Sequence, residues 1–384
     1  MSTSAGATLF AAAVGKQSVQ PGETIRLKAD RILLNDWQGW QAVDLLGDEQ
    51  IADPSRILIA IDHESPAGTV PVAEQQKKLI DLSQERHLRL SQNGGVGYSM
   101  LMDEGLCFGE VVACMNRRCG ILGAAGALAL RVNAEEMVSL MKGGSVERTV
   151  PETVCIALVG ALRAGAMARD AILALIAGGN TDLFAGKLVV FCGESLTKEE
   201  KQDLCAMAGE LGAEYALFQD HCQQADLMID LSQVVPVAAL PGSLDVVLPA
   251  AELSHIKLDG VSIGGCLGGS IEDLRYIASQ LKGRRVAHEL RLMIAPATAQ
   301  VQIQAMNEGL MNIFLDAGAH LAPAGCGACK PTAFGYMEKG ETLLSAGGFN
   351  HTGCAGHTEA QVYLASVKTA IASALAGHIA APTL

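Results

Sequence analysis

The stretch Gly260–Lys282, GVSIGGCLGGSIEDLRYIASQLK, decides how the fold is read. It opens with a short run of β-forming residues and turns through a loop in which Gly264, Gly265, Gly268 and Gly269 surround Cys266. It continues as Ile271–Lys282, where apolar residues recur at helical spacing. A strand that passes through a tight loop into a helix is the repeating unit of parallel α/β sheets.

The same alternation runs outward from this unit. Downstream, Glu289–Ile294 (ELRLMI) reads as a strand, Thr298–Leu315 as a helix and Leu321–Cys329 (LAPAGCGAC) as a loop. Thr358–Ala376 reads as a helix of small residues. Upstream, Val154–Ala177 is an apolar strand followed by an amphipathic helix, Lys187–Cys192 (KLVVFC) a strand and Thr197–Leu211 a charged helix. Leu27–Leu46 mixes a strand-like start with a helix-like continuation. Arg56–Asp62 (RILIAID) is a buried strand delivering Asp62 and His63 at its carboxyl end, and Val72–Glu85 is a surface helix. Gly94–Gly97 is a turn, and the small residues of Gly120–Ala129 ask for backbone packed on backbone. Gln224–Glu252, rich in Val, Pro and Asp, reads as a linker and the opening of a new domain. The fold class is therefore α/β, built on parallel sheets.

Composition narrows the function. The 384 residues are 49% hydrophobic and 4% aromatic, with a net charge of −13, and no Lys or Arg run could neutralise a phosphate backbone. This excludes nucleic acid as a partner but leaves open an anionic small molecule, which needs only a few local cations. No uncharged apolar stretch is long enough to span a membrane, and the first residues lack the basic region of a signal peptide, so the expected location is the cytoplasm. Eleven cysteines in such a chain are buried small side chains, metal ligands or nucleophiles rather than a disulfide framework.

Cys326-x-x-Cys329, in a Gly-rich loop, together with Cys266 is the strongest chemical signal. Soft thiolates on backbone that turns tightly suit a metal site, and free loop amides can hydrogen-bond a cluster's sulfides. A lone CxxC equally fits zinc, a redox dithiol or three buried thiols. Three ligands without a clear fourth distinguish this set, because a structural zinc site normally has four. Asp62-His63 could act as a general acid, with the carboxylate orienting and charging the imidazole; the bare dipeptide also fits a polar loop start. Arg117 and Arg118, between Cys114 and Cys119, suit anion binding, while Cys107, Cys114 and Cys119 read better as unrelated thiols than as a second metal site. Glu210 is an acid at a helix end, where most such residues are solvated.

Taken in order, these blocks resemble the large-subunit family of aconitase and isopropylmalate dehydratase over about Leu9–His378. The blocks include Gly15-Lys16 with Val19–Glu23, Asn35-Asp36, Asp62-His63, Glu104–Leu106, Gly120–Ala124, Val150–Thr153, Ala168–Leu173, Glu210–Ala213, Cys266 with Glu272–Leu274, and Gly325–Cys329. The resemblance implies a three-domain aconitase-like α/β/α fold without the swivel domain, with domains at 1–150, 151–224 and 225–384. It implies a [4Fe–4S] cluster on Cys266, Cys326 and Cys329 whose open iron acts as a Lewis acid, and catalytic roles for Asp62, His63 and Glu210. It also implies a small swivel-domain subunit as partner, in a heterodimer or heterotetramer, and a small anionic substrate.

The chain departs from the family pattern where substrate is gripped. The family's Asp-Ser-His triplet is placed at Ala113-Cys114-Met115 and its His-Gln pair at Tyr98-Ser99. Its block with two arginines is placed at Gly348–Cys354 (GFNHTGC), which has none, and its Thr-Asn after the first cluster cysteine at Leu267-Gly268. Tyr98, Arg117, Arg118, Lys330, Asn350 and His351 are the candidates for a rebuilt substrate pocket. The expected activity is a hydro-lyase reaction on a small hydroxy acid other than citrate or isopropylmalate. The alternatives are a cluster-bearing regulatory subunit without catalysis, and an isomerase or other lyase on the same scaffold.

Overall fold

Short apolar runs bounded by turns form the strands, and the helices between them begin at side-chain caps. Thr69, Thr197, Ser270 and Thr298 each accept a backbone N–H from the first turn of the helix that follows. The computed structural model describes residues 4–179, 181–330 and 335–382.

The first sheet is fully parallel. β1 (Thr24–Leu27) stands apart from it; β2 (Arg31–Asn35), β3 (Ile57–Ala60), β4 (Arg89–Ser91), β5 (Val111–Cys114) and β6 (Leu128–Arg131) form it in the order β4-β3-β2-β5-β6. β7 (Val146–Thr149) pairs antiparallel with β1. The chain winds outward from β2 through β3 and β4, then returns to β5 on the other side. The switch point between β2 and β5 is where open α/β sheets bind ligands. The second sheet holds β8 (Thr153–Val159), β9 (Leu188–Cys192), β10 (Tyr215–Gln219) and β11 (Leu227–Asp230), all parallel, in the order β10-β9-β8-β11.

The third sheet is mixed. Its strands are β12 (Val237–Ala239), β13 (Val247–Pro249), β14 (Gly260–Gly264), β15 (Arg291–Ala295), β16 (His320–Leu321), β17 (Thr342–Ser345) and β18 (Gln361–Ala365), in the order β13-β12-β18-β17-β14-β15-β16. β12 is antiparallel to both its neighbours, whereas the strands from β18 to β16 are parallel. Here the switch point lies between β14 and β17.

Three expectations need correction. Gln224–Glu252 is no linker: it contributes β11 to the second sheet and β12 and β13 to the third. Thr298–Leu315 is two helices, Ala299–Asn307 and Leu310–Ala317, because Gly309 takes φ +76° between them. Thr358–Ala376 contains β18 before its helix, Val367–Ala376, starts. The first and second sheets share apolar cores, and one of these extends to Leu267, Cys326 and Leu364 on the third. The carboxyl edges of the first and third sheets are thereby brought together.

Candidate functional site

The carboxyl ends of β2 and β3 deliver Asp36, Asp62 and His63, all buried. Asp36 Oδ1 accepts the backbone N–H groups of Asp62 (3.2 Å) and His63 (3.0 Å). Its Oδ2 accepts those of Glu64 (3.1 Å) and the Gln76 side chain (3.0 Å). Burial pushes the Asp36 carboxyl up, but His63 and these amides outweigh it and hold the group well below the usual carboxylate range. Asp62 Oδ1 lies 2.6 Å from His63 Nδ1, and Oδ2 accepts the Gly97 N–H at 2.9 Å. Burial dominates at Asp62 and raises its pKa. Burial also opposes charge on His63, yet Asp62 and Asp36 together lift the imidazole to about 10.

The other ring nitrogen, Nε2, faces Asn116 Nδ2 at 3.3 Å. The Asn116 amide is fixed this way round because its Oδ1 accepts the Arg118 N–H at 2.9 Å. A proton on Nε2 therefore finds a donor rather than an acceptor in Asn116 and is left for a ligand. Asn116 is the residue after β5 that faces His63. Ala113 and Cys114, where the family triplet is placed, are interior residues of β5.

The loops after β14 and β16 bring the three thiols to the same place. Burial raises Cys266 and Cys326 above the usual thiol range and Cys329 to about 12. Gly265 (φ +81°) lies against Cys326, whose carbonyl oxygen would be 3.0 Å from an added Cβ. Gly325 lies against the Asp62 carbonyl, which accepts the Cys326 N–H at 2.8 Å. Close backbone approach at these glycines thus joins the two cysteine loops to each other and to the Asp62-His63 strand. The three cysteine sulfurs do not all lie within 4.8 Å of one another; among the described residues, the ligand atoms that do so are those of Asp62, His63 and Cys326.

Two buried arginines complete the site. Arg118 places Nη2 3.1 Å from Glu210 and also bonds the Gly348 carbonyl; its Nη1 bonds the Ala206 carbonyl at 3.0 Å. The guanidinium lies 4.4 Å from the centre of the Phe349 ring. Arg169, at the start of the helix Ala168–Ala177, bonds Asp203 at 2.8 Å and the Gly347 carbonyl at 2.8 Å.

The remaining predicted residues are placed as follows. Tyr98 is buried in the first turn of the helix Gly97–Asp103. Arg117 is exposed, 3.6 Å from Glu210. Lys330 pairs with Glu64 at 2.6 Å and covers the Trp37 ring. Asn350 uses its amide on the Leu240 and Ser243 carbonyls, a structural tie. His351 is exposed against Phe349. Asn116, Arg117, Glu210, Trp37, Phe349 and His351 border a cavity of about 500 Å³. A second cavity, about 330 Å³, reaches His63 and Cys326, and a third, about 300 Å³, reaches Cys266. Cys107 is exposed, whereas Cys114 and Cys119 are buried beside each other.

Sequence reasoning missed Asp36, Asn116, Arg169 and Asp203 as site residues. Arg169 and Asp36 sit inside family-like blocks, and that was the available signal; nothing local marks Asn116 or Asp203.

Comparison with known proteins gives a consistent picture. The model of the Aconitase family (aconitate hydratase) matches residues 9–230 and 243–377. The 3-isopropylmalate dehydratase large subunit of Thermodesulfovibrio yellowstonii is 33% identical, over 97% of this chain and 97% of that protein. A probable 3-isopropylmalate dehydratase large subunit of Methanothermobacter thermautotrophicus is 30% identical over 100% and 99%. The crystal structure of Thermococcus kodakaraensis aconitase X in its holo form superposes with a TM-score of 0.59 over 91% of this chain and 90% of that one, at 13% identity, and so shares the fold. Among the described residues, no helix is long and apolar enough to cross a membrane.

Proposed function

Because the chain belongs to the aconitase family, we propose that it is the large subunit of a [4Fe–4S] hydro-lyase whose substrate is a small hydroxy acid other than citrate or isopropylmalate. The observation that carries this reading is the meeting of three thiols, Cys326 buried and Cys266 and Cys329 half-buried, on loops that only glycine allows to approach, with the Asp36–Asp62–His63 network.

The residues present fit such a cluster. Cys266, Cys326 and Cys329 would hold it; desolvation raises all three thiols, so a cationic group would be needed to draw them into the thiolate form. When bound, the cluster supplies a Lewis-acidic iron with an open position.

The chain's own residues supply proton transfer and orientation. Asp62 and Asp36 hold the imidazole by Nδ1, so His63 presents its Nε2 proton to the departing hydroxyl. Arg117 and Glu210 form the polar side of the cavity at Asn116, and Trp37 and Phe349 its aromatic walls. The carboxylate-binding role that the family gives to arginines in the block corresponding to Gly348–Cys354 passes to Arg117, because this block has no arginine. His351 lines the same cavity, and Lys330, paired with Glu64, lies against its Trp37 wall. A small swivel-domain subunit, as the relatives' designation as large subunits suggests, brings the base that removes the carbon-bound proton.

The test is anaerobic purification, counting of iron and sulfide, and electron paramagnetic resonance after mild oxidation. A three-iron signal that disappears in Cys266→Ala, Cys326→Ala and Cys329→Ala variants is expected. Absence of iron and sulfide after reconstitution overturns the proposal. Hydration of cis-aconitate or isopropylmaleate by the complex at rates normal for the family overturns the specificity.

A further inference from the structure

The cavity beside Asn116 holds about 500 Å³, within the range of small-molecule pockets, about 300–1,000 Å³. It lies on the Nε2 side of His63. Asn116, in its lining, has Nδ2 3.3 Å from His63 Nε2, and the ring centre of Trp37, also in its lining, is 5.2 Å from that of His63.

What a ligand meets there depends on which charges are already committed. Among the described residues, one guanidinium, Arg117, and two carboxylates, Glu210 and Asp245, border the cavity. Arg117 donates from Nη2 to the Gly209 carbonyl at 3.3 Å and lies 3.6 Å from Glu210, which leaves Nε and Nη1 as donors. Arg118 and Arg169 do not border the cavity. Arg118 bonds Ala206, Gly348 and Glu210, and Arg169 bonds Ala346, Gly347 and Asp203. Lys330 is paired with Glu64. One carboxylate therefore finds a guanidinium with donors for both its oxygens. A second carboxylate finds Glu210 and Asp245, and like charges repel it.

Much of the remaining lining is apolar. Trp37, Met115, Ile176, Leu244 and Phe349 come from five separate segments of the chain. Phe349 is held between the Arg118 guanidinium, 4.4 Å from its ring centre, and the His351 ring, edge-on at 5.6 Å. Asn350 donates its amide to the Leu240 and Ser243 carbonyls at 2.7 and 2.8 Å and accepts the Gly242 N–H at 2.9 Å. These bonds tie the loop of Phe349 to the loop of Leu244, so the apolar walls stand ready before a ligand arrives.

Resting on the hydro-lyase reading above, we propose that the substrate is a hydroxy acid with a single carboxylate and a bulky apolar substituent, the carboxylate held by Arg117 and the substituent by Trp37, Leu244 and Phe349. Apolar surface buried against these walls supplies the affinity that a polyacid would draw from further cations.

The experiment titrates the anaerobically reconstituted full chain by calorimetry, with iron and sulfide counted. The probes are lactate, malate, 3-phenyllactate and 2-hydroxy-4-methylpentanoate. All share a hydroxyl-bearing carbon with its carboxylate and an adjoining carbon, which ends in hydrogen, carboxylate, phenyl or isopropyl. The two apolar probes should bind at least about tenfold tighter than lactate, and malate no tighter than lactate. Phe349→Ala and, on the facing loop, Leu244→Ala should each close much of the gap between 3-phenyllactate and lactate while leaving lactate unchanged. Arg117→Gln should weaken lactate and 3-phenyllactate by the same factor.

Malate binding as tightly as 3-phenyllactate to the fully loaded chain overturns the proposal and leaves the hydro-lyase reading intact. So does failure of both apolar probes to bind more tightly than lactate, or a 3-phenyllactate-to-lactate ratio unchanged in both alanine variants. Failure of the unsubstituted chain to take up iron and sulfide overturns both.

Discussion

At the scale of single residues, the site turns on how much carboxylate surrounds one imidazole. Asp62 and Asp36 both face His63 Nδ1, at 2.6 and 3.3 Å, inside the protein. Asp62→Asn should bring the His63 pKa down from about 10 toward 6.5, as an NMR titration of the ring would show. The sign for stability follows from the raised folded value. The stabilisation is fully present below the unfolded pKa near 6.5 and fades as pH rises through about 10. An Asp62→Asn chain should therefore lose less stability than wild type between pH 7 and 10 in urea titrations; an identical loss would remove His63 as the cause. Arg169 offers a second case. Asp203→Ala leaves a fully buried guanidinium without its carboxylate, and chemical denaturation should show a cost of about 3–5 kcal/mol.

At the scale of elements, what matters is that the ligand loops touch. An alanine at Gly265 takes a left-handed conformation and presses on the Cys326 carbonyl. The conformation alone costs about 1–2 kcal/mol. Gly265→Ala should keep its circular dichroism spectrum but bind less iron per chain, whereas Gly283→Ala, whose Cβ meets nothing, should match wild type in iron content. Full iron loading in Gly265→Ala would show that the loops do not need this contact. The elements also show where sequence stops being informative. β14 and the helix Ile271–Leu281 are legible because periodicity and a Ser-x-x-Asp cap are local. β11 to β13 are three or four residues each within a segment rich in Val, Pro and Asp, so they look like linker. The Asp62-His63 pair and the cysteines were readable as motifs. The contacts from Arg169 to Gly347 and from Arg118 to Gly348 join residues 178 and 230 positions apart, and no local pattern announces them.

At the scale of the whole molecule, two buried acids tie sheets and helices together and set the pH response. Asp170 accepts the N–H groups of Met167 and Val237, joining the helix Ala168–Ala177 to β12. Asp273 caps the helix after the Cys266 loop with Ser270. Burial raises both to about 7. Between their unfolded values near 3.8 and that pH, the folded state holds more protons, so their contribution makes stability fall as pH rises. Denaturation midpoints should drop from pH 5 to pH 8, and Asp170→Asn should flatten the slope; a slope unchanged by that substitution would assign it elsewhere. Cluster uptake should run the other way, because binding must displace protons from thiols raised by burial. Reconstitution yield should be higher at pH 8 than at pH 6.

The placement of the loops has a consequence for inheritance. The cysteines leave the third sheet after β14 and β16, whereas Asn116, Arg117 and Phe349 follow β5 and β17. Descent can therefore rewrite one set of loops while the other is passed on intact. A lineage built this way can change its diet while keeping its thiols.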